Sequence, residues 1–577
     1  MTDDYRSFTE LMLERAGQAP EREALVLPPD SDETGRAVSV SYRSLDASAR
    51  GLAGWLQERG AAGERVMLLH ASRHQFAVSF LACLYAGAIA VPVPPTGGRS
   101  HHEERVAGIL KESAPCAVLT DAALAPGISR MLADGGQGQI PCLAADAVPR
   151  HAEWQLPELD RDSVAYLQYT SGSTGNPRGV VVTHGNLLAN QEALARMLGT
   201  GPGARVGGWL PLHHDMGLVG QLLHPLWLGG TSVMITPEAF VKRPVRWLEV
   251  ISRYGIEVSG APDFAYGLCA RRVTDEQLEG VDLSGWRIAV SGGEPVSAET
   301  RRAFLGRFAS AGMRPGAMRA AYGLAEATLL VAGGPADGEP VTVDAEGLEQ
   351  RRMRAPRPGK PVRTLTSSGT PDSATEVLIV DPDTLEVLPE GRIGEIWVSG
   401  PGVAQGYWRD RAATAERFDV CADGLPGRLR TGDFGVLHEG NLHVTGRLRD
   451  MIVVAGRNLY PQDLEHTVQR ISALFGTGTA FAVPGERERI VLVQELRTNK
   501  RYALDLEAIA KGVQNCLAEE FDVSVSGVLL VRPGTVRRTT SGKVERTAMR
   551  QLFLSGRLRP LYQHLDNELT VPAEPSR

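Results

Sequence analysis

The stretch YTSGSTGNPRGV, residues 169–180, joins two apolar runs, VAYLQYT before it and GVVVTH after it. Both runs are rich in β-branched and aromatic residues, which predicts two strands with a polar loop between them. Glycines let backbone N–H groups approach an oxyanion closely, and Ser and Thr hydroxyls add short donors. The residue order differs from the P-loop and the dinucleotide-binding patterns, and a simple polar turn uses the same residue types. The stretch favours a phosphate-binding loop without establishing one.

Outward from this loop, helical and strand patterns alternate through the first half of the chain. One helical face carries the apolar residues Leu45, Ala49, Leu52 and Leu56. The run RVMLLHA (65–71) predicts a buried strand. The apolar run Phe76–Pro95 has the length of a membrane span, but Gly87 and three prolines divide it, so we predict a buried helix ending near Gly87 and a buried strand at 89–93. This alternation predicts an α/β fold on mostly parallel sheets.

The overall composition is that of a globular protein with a large core. Apolar residues make up 43% and charged residues 22% of the 577 residues, a length that predicts roughly three or four domains or subdomains. The formal net charge of −7 gives no indication of nucleic-acid binding. The six cysteines are scattered without a C-x-x-C pair, which argues against a zinc site or a disulfide framework. With a charged N-terminus that lacks a signal-peptide core, we expect a cytoplasmic protein without a membrane span.

The second half of the chain divides into unlike regions. Gly333–Pro371 is dense in Gly and Pro and poorly patterned, which fits a surface loop as well as it fits an inserted segment. Shorter strand-like runs follow, EVLIVDP, GEIWVSG and NLHVTG. Past Arg447 the pattern changes to a compact α/β piece that ends in the basic segment RRTTSGKVERTAMR. We therefore predict an N-terminal domain at 1–448, with an insertion at about 333–371, and a C-terminal domain at 449–577.

Five motifs that occur in a fixed order are much more specific evidence for function than the loop at 169–180 alone. They are YTSGSTGNPRGV (169–180), LPLHHDMGL (210–218), AYGLAEAT (321–328), TGD (431–433) with GRLRD (446–450), and SGK (541–543). In this order they resemble the adenylate-forming ligase superfamily over nearly the whole chain. The segments SGAPDFAYGLCARR (259–272) and GRNLYPQDLE (456–465) are similar to its fatty acyl-AMP ligase branch.

The resemblance implies a fold and an activity. The fold is a large N-terminal domain of packed α/β subdomains with a small mobile α+β C-terminal domain that rotates between half-reactions. The activity is ATP-dependent activation of a fatty acid to an acyl-adenylate, with release of pyrophosphate, followed by acyl transfer to the phosphopantetheine thiol of an acyl carrier protein. An acyl-CoA ligase would share everything except the acceptor, and a non-catalytic acyl- or nucleotide-binding protein would share the fold. The branch also carries an insertion where Gly333–Pro371 stands.

The resemblance also assigns the nucleotide-binding residues. The departing phosphates are gripped by Thr170, Ser171, Gly172, Ser173, Thr174 and Gly175. Mg²⁺ is coordinated by Glu326 with Thr174, since a hard cation takes carboxylate, hydroxyl and phosphate oxygens. The adenine pocket is formed by Gly293, Glu294, Ala321, Tyr322 and Gly323. The ribose hydroxyls bind between Asp433 and Arg447.

Three residues are expected to act on the reacting groups. By resemblance, Lys543 bridges the carboxylate and the α-phosphate, and His214 lies where the fatty carboxylate enters. Arg178 stands where the family usually has Lys. The positive charge is kept, but it lies on a planar guanidinium instead of a compact ammonium, so its contacts can differ. The hinge position is Arg449, where the family more often has Asp or Lys.

The neighbours of His214 allow two other interpretations. His213, His214 and Asp215 are metal-ligand types, but adjacent residues do not easily aim at one ion and no further ligand cluster accompanies them. The apolar residues Trp209, Leu210, Met216 and Leu218 could begin an acyl tunnel, and core packing accounts for them equally well.

Overall fold

The structure is a computed structural model. It describes residues 5–29, 36–95, 100–147, 153–170, 177–335, 340–422, 424–454, 457–483, 488–497, 504–521, 523–539, 542–566 and 569.

The described α-helices are α1 (Phe8–Gln18), α2 (Tyr42–Gln57), α3 (Arg73–Ala86), α4 (Ser100–Ser113), α5 (Ala125–Asp134), α6 (His184–Leu198), α7 (His224–Trp227), α8 (Pro237–Lys242), α9 (Val245–Tyr254), α10 (Asp263–Arg272), α11 (Ala298–Phe308), α12 (Ala345–Glu349), α13 (Arg411–Phe418), α14 (Pro461–Ile471), α15 (Leu506–Phe521) and α16 (Arg546–Leu554).

The described strands are β1 (Glu23–Leu27), β2 (Val38–Ser41), β3 (Arg65–Leu69), β4 (Ile89–Pro92), β5 (Ala117–Thr120), β6 (Cys142–Ala144), β7 (Val164–Thr170), β8 (Arg178–Thr183), β9 (Arg205–Gly208), β10 (Thr231–Met234), β11 (Val258–Ala261), β12 (Ile288–Gly292), β13 (Met318–Gly323), β14 (Leu330–Pro335), β15 (Val341–Asp344), β16 (Val362–Leu365), β17 (Thr370–Pro371), β18 (Glu376–Val380), β19 (Gly394–Ser399), β20 (Val420–Ala422), β21 (Leu425–His438), β22 (Asn441–Arg447), β23 (Ile452–Val454), β24 (Arg457–Leu459), β25 (Phe475–Val483), β26 (Arg489–Leu496), β27 (Val525–Val531) and β28 (Tyr562–Leu565).

A six-stranded sheet holds the region around the phosphate loop. Its order is β6-β5-β3-β4-β7-β8, and only the pairing of β7 with β8 is antiparallel. The predicted helix and strand around Gly87 are confirmed: α3 ends at a left-handed Gly87 with φ 70°, and buried β4 follows. Within the described residues no helix is long and apolar enough to cross a membrane.

A nine-stranded sheet brings the other nucleotide motifs together. Its order is β17-β14-β13-β12-β11-β9-β10-β1-β2, with a parallel centre from β1 to β13 and antiparallel strands at both edges. Parallel strands deliver their carboxyl ends to one edge, where ligands of α/β proteins bind. Strands β12 and β13 end at Gly292 and Gly323. The segments SGGEP (291–295) and AYGLAEAT (321–328) therefore lie at the same, carboxyl-terminal edge of the sheet.

The third sheet lies in the second half of the chain, outside the alternating region that predicts parallel sheets, and it is antiparallel. Strands β18, β19, β21, β20 and β22 pair antiparallel throughout. Strands β20, β21 and β22 follow one another with connections of two residues, and a hairpin can join only antiparallel neighbours. The register sets Asp433 of β21 directly opposite Arg447 of β22.

The last part of the chain forms its own sheet and cores. The order is β25-β26-β27-β28, covered by α14 and α15 on one face and α16 on the other. One apolar cluster includes Leu464, Leu492 and Leu517, and the other includes Phe481 and Phe553. A separate core in this part supports the proposed division near Arg447 to Arg449.

The segment Gly333–Pro371 is not a featureless loop. It contains the antiparallel pair β15–β16 and the short helix α12. Val343 and Leu348 pack with Ile393, Phe434 and Val436 of the antiparallel sheet. The sequence pattern is weak because the apolar positions are few and widely spaced, although they are buried together in the fold.

Candidate active site

A cleft of about 2570 Å³ lies at the carboxyl ends of the two parallel sheets, with the C-terminal part of the chain along its other side. Its lining contains every candidate site residue that the structure describes: Thr170, Arg178, His214, Gly293, Glu294, Ala321, Tyr322, Gly323, Glu326, Asp433, Arg447 and Lys543. These residues come from positions 170 to 543 of the sequence and meet in one cavity. The remaining candidates, Ser171, Gly172, Ser173, Thr174 and Gly175, lie outside the described residues.

The two ends of the phosphate loop face each other across a strand pair. Thr170 closes β7 and Arg178 opens β8, and the register pairs them directly. The Arg178 guanidinium carbon lies 5.3 Å from the centre of the Tyr407 ring, and Nε lies 3.9 Å from the Asp410 carboxylate. Stacking on an aromatic face fits a planar guanidinium better than an ammonium, which accounts for Arg at this position.

Glu326 lies beside this pair and is oriented by a neighbour. Its Oε1 accepts a hydrogen bond from the Tyr407 hydroxyl at 2.8 Å, while its backbone carbonyl accepts one from the Ala404 N–H at 2.9 Å. Burial and the Glu326 charge raise the pKa of Tyr407, so the phenol stays a donor at neutral pH. One oxygen of the carboxylate, Oε1, is therefore held by the Tyr407 hydroxyl on the cleft wall.

A second set of contacts surrounds Asp433. The Tyr322 hydroxyl donates to Oδ2 at 2.8 Å, and Arg447 Nε lies 3.2 Å from Oδ1. The Asp433 N–H donates to the Thr431 hydroxyl at 3.1 Å. Burial and the adjacent carboxylate raise the pKa of Tyr322 well above its usual value, so it too remains protonated. Both oxygens of the Asp433 carboxylate therefore have a protein partner on the cleft wall.

Lys543 enters the cleft from the C-terminal part. The lysine side chain passes directly beside Gly293, since a Cβ placed there would lie 3.8 Å from both Cε and Nζ of Lys543, and the Gly293 φ of 79° is one that glycine adopts readily. The Thr539 hydroxyl accepts a hydrogen bond from the Lys543 N–H at 3.1 Å, and the Lys543 carbonyl accepts one from the Thr539 N–H at 2.7 Å. These contacts fix the segment that presents the lysine.

The charges around Lys543 oppose the cost of its burial. Burial, and then Arg447, lower the pKa of Lys543, while Asp215, Glu294 and Asp433 raise it. Burial raises the pKa of Glu294 to about 7, although its carboxylate accepts a 2.6 Å hydrogen bond from the Phe264 N–H. The site therefore holds a half-buried cation beside Asp215 and Glu294, two acids whose pKa values are raised by burial.

His214 is a neutral imidazole in this environment. Burial lowers its pKa well below the ordinary value, and the nearby charges of His213, Arg105 and Lys543 lower it further. A neutral ring can donate or accept a hydrogen bond without adding a second cation beside Lys543. No group of three or more His, Cys, Asp or Glu side chains in the described ranges is arranged to hold a metal ion.

Core packing explains most of the apolar neighbours of His214. Trp209 stacks on Phe240 with ring centres 4.1 Å apart, and Leu210 lies in the same buried cluster. Leu218 is buried in the largest core. Met216 is different, because it lines the cleft with its sulfur 3.8 Å from the position of a Cβ on Gly293.

Sequence reasoning missed three charged or polar residues of the cleft. Tyr407 and Arg417 adjoin Glu326, and Arg105 of α4 lies close enough to lower the pKa of His214. Tyr407 follows the Gly406 turn and Arg105 lies within an ordinary amphipathic helix, so neither has a local signal that sets it apart.

Comparison with known proteins agrees with this geometry. Residues 12–408 match the family model described as AMP-binding enzyme, and residues 449–563 match one described as Disco-interacting protein 2-like, AMP domain. The medium-chain-fatty-acid–acyl-carrier-protein ligase JamA of Moorena producens (strain JHB) is 37% identical over 538 residues, which cover 90% of each chain. The long-chain-fatty-acid–AMP ligase FadD26 of Mycobacterium tuberculosis (strain ATCC 25618 / H37Rv) is 36% identical, covering 95% of this chain and 97% of the relative.

Solved structures extend the similarity to the whole architecture. A fatty acid AMP ligase from Legionella pneumophila shares 34% identity with a TM-score of 0.75, covering 98% of this chain and 99% of that one. A structure from a study of fatty acyl-adenylate ligases of E. coli and L. pneumophila shares 31% identity with a TM-score of 0.87, covering 96% and 99%. The chain therefore belongs to the AMP-binding enzyme family, in its fatty acyl-AMP ligase branch.

Proposed function

We propose that this member of the family uses ATP to convert a fatty acid to an acyl-adenylate and then transfers the acyl group to the phosphopantetheine thiol of an acyl carrier protein. The observation that carries the proposal is the convergence of Lys543 with the Asp433 and Glu326 contacts in one cleft. The similarity to JamA, a fatty-acid–acyl-carrier-protein ligase, supports the fatty acid and the carrier, and the similarity to FadD26, a fatty-acid–AMP ligase, supports the fatty acid and the adenylate.

In the first step a carboxylate oxygen attacks the α-phosphorus of ATP. A new oxygen–phosphorus bond forms, the bond to the bridging α–β oxygen breaks, and pyrophosphate leaves with the electron pair. Both reactants are anions, so a cation between them stabilises the charge that builds on the α-phosphoryl oxygens. Lys543 is assigned to that position, and the neutral His214 to a hydrogen bond with the carboxylate.

The nucleotide is assigned to the groups that flank Lys543. Asp433 and Arg447 bind the ribose hydroxyls, and Tyr322 with the backbone from Ala321 to Gly323 and at Gly293–Glu294 forms the adenine site. Thr170 and Arg178 bind the departing phosphates together with Ser171–Gly175. Arg178 is already placed by Tyr407 and Asp410, so it needs little rearrangement to meet a phosphate.

Glu326 fits a magnesium ion that is held chiefly by the nucleotide. Mg²⁺ is commonly bound through one or two carboxylates plus substrate phosphates, and Glu326 presents such a carboxylate on the cleft wall. The second assigned ligand, Thr174, lies outside the described residues. When bound, the ion neutralises charge on the departing phosphates.

The second step needs a different arrangement of the same cleft. The carrier thiolate attacks the acyl carbonyl, a carbon–sulfur bond forms, and AMP leaves as the carbon–oxygen bond breaks. Lys543 occupies the cleft in the arrangement described above, so we assign acyl transfer to a state in which residues 449–577 have rotated about a hinge at Arg449. A hinge residue takes up the change in backbone dihedral angles when a domain rotates. Arg449 is exposed, which is compatible with that role.

The segment at 333–371 is proposed to restrain this rotation and so to disfavour free coenzyme A. Glu349 of α12 forms a two-pronged ion pair with Arg457, with Nε and Nη2 at 2.7 and 2.8 Å, and its carbonyl accepts a hydrogen bond from the Asn458 amide at 2.8 Å. Arg363 lies 3.4 Å from Glu520, and its guanidinium carbon lies 4.4 Å from the centre of the Phe521 ring. We refer to these two contacts as the insertion clamp.

The test is carboxylate-dependent exchange of pyrophosphate into ATP with a panel of acids, followed by acceptor assays. Medium- or long-chain fatty acids should support exchange, and acyl groups should appear on a phosphopantetheinylated carrier protein. Ready formation of acyl-CoA would favour a coenzyme A ligase. Absence of exchange with every acid, while nucleotide still binds, would favour a non-catalytic binding protein.

A further inference from the structure

Arg105 of α4 is a cation of the cleft that has no role in the steps described above. It is half-buried and lines the cleft together with His214. Its Nε is shielded from solvent and has no hydrogen-bond partner among the described residues. In the same part of the chain no carboxylate forms an ion pair with its guanidinium, and burial lowers the pKa of the side chain. The protein therefore takes this charge out of water without pairing it.

Other arginines that line the cleft have acidic partners, for example Arg447 with Asp433 at 3.2 Å. Glu545 raises the pKa of Arg105, but within the described ranges the two side chains form no ion pair. A guanidinium that leaves water without a partner is unfavourable. The arrangement is accounted for if an anionic ligand completes it.

The position of Arg105 on α4 places it beside the outgoing end of the phosphate loop. Arg105 and Gly108 are three residues apart and so lie on one face of the helix, and both line the cleft. A Cβ placed on Gly108 would lie 3.5 Å from Cδ of Pro177, the residue before Arg178. The face of α4 that carries Arg105 thus packs against the strand end that presents Arg178.

Two anions of the proposed reaction are candidates for Arg105, the fatty carboxylate and the departing phosphates. Arg105 is near enough to His214 to lower the pKa of that imidazole. The carboxylate carries a single charge and is already assigned to His214 and Lys543. The pyrophosphate group carries several negative charges and is assigned to the loop that ends at Arg178. A planar guanidinium can bind two phosphate oxygens at once, so the phosphates are the better match.

We propose that Arg105 is a further substrate-binding residue, which contacts the β- and γ-phosphates of ATP and then the pyrophosphate that departs. The inference rests on the proposed function and deepens it. It adds a second arginine to the phosphate site, from a helix whose sequence, SHHEERVAGILKES, carries no phosphate-binding motif. His214 is left as a neutral group for the carboxylate.

The test compares two ligands that differ by the β- and γ-phosphates. Dissociation constants for ATP and for AMP, each with Mg²⁺ and without fatty acid, are measured for wild type, Arg105→Gln and Arg105→Lys. Arg105→Gln should weaken ATP binding about tenfold, because a charged hydrogen-bond donor is lost, and should leave AMP binding within about twofold. Arg105→Lys keeps the charge without the planar guanidinium, so its effect on ATP binding should be smaller.

The half-saturating concentration of pyrophosphate gives a second measurement. It is taken from the reverse reaction, in which purified acyl-adenylate and pyrophosphate form ATP and the fatty acid. Arg105→Gln should raise it about tenfold, while KM for the fatty acid in the forward direction stays within about twofold. The matched control is Lys111→Gln, which removes an exposed positive charge from the same helix outside the cleft lining and should leave every value unchanged.

Unchanged ATP binding in Arg105→Gln, equal weakening of ATP and AMP, or an equal effect of Lys111→Gln would overturn contact with the phosphates. A rise in KM for the fatty acid alone would assign Arg105 to the carboxylate instead. Both Arg105 variants should keep the wild-type melting temperature, and a fall in both would make the residue part of the fold and overturn the inference. Nucleotide binding needs no turnover. Absence of carboxylate-dependent exchange in the wild type would therefore contradict the proposed function, while the comparison of ATP with AMP would still decide the role of Arg105.

Discussion

Lys543 and the insertion clamp both join the last part of the chain to the rest, but by different kinds of contact. Lys543 is a single half-buried cation, surrounded by charged groups and held at its backbone by Thr539. The clamp is a set of direct contacts, a two-pronged ion pair at Glu349 and an arginine at 363 over an aromatic ring. A single lysine can act in adenylation and then leave the cleft when the C-terminal part moves, whereas the clamp contacts can hold that part in position. Removing Lys543 should therefore stop adenylation, whereas removing the clamp should change which thiol accepts the acyl group.

Lys543→Ala is expected to have the largest effect. Loss of the cation between two anions should lower pyrophosphate exchange by about 100-fold or more while ATP binding persists. Lys511→Ala, on an exposed lysine paired with Glu507, is the matched control and should stay within about twofold. Exchange by Lys543→Ala within about tenfold of wild type would remove the lysine from its assigned role.

Glu326→Gln should come next. A neutral amide keeps the size and the Tyr407 contact but is a poorer ligand for a hard cation, so half-saturation by Mg²⁺ should rise about tenfold. Binding of the fatty acid should change less. Glu299→Gln makes the same exchange elsewhere on the cleft lining and should leave the Mg²⁺ titration unchanged. Superimposable curves for Glu326→Gln and wild type would argue against metal binding at this residue.

The substitution Glu294→Gln should have a smaller effect, which is on the pH dependence of the free energy of unfolding. The folded pKa of Glu294, about 7, lies above the ordinary 4.5, so the folded state binds more protons than the unfolded state between these values. The free energy of unfolding should therefore fall as pH rises from about 4.5 to 7. Glu294→Gln should remove about 1 to 3 kcal/mol of this fall, seen in denaturant midpoints at pH 5 and pH 8. Parallel pH profiles for the two proteins would contradict the raised pKa.

Local sequence predicted the elements but not the contacts that link them. The helix before Gly87 and the strand after it follow from an apolar run and a glycine that ends a helix. The site residues were found by resemblance, and all those described line one cleft. The Tyr407 contact with Glu326 spans 81 residues and the Arg457 contact with Glu349 spans 108, so no periodicity records either. Pairings of this kind arise only when the sheets are assembled.

The most direct test of the contrast is a charge swap at the clamp. Acyl-CoA yield in a single turnover, from purified acyl-adenylate and coenzyme A, is compared for wild type, Glu349→Arg, Arg457→Glu and the double variant. If the clamp restrains rotation, each single change should raise acyl-CoA several-fold, by an amount on the order of 1 kcal/mol of coupling. The double variant should return toward the low wild-type yield, with acyl-adenylate formation intact in all four. Equal acyl-CoA from all four proteins, or loss of adenylation in the single variants, would contradict the separation of the two contacts.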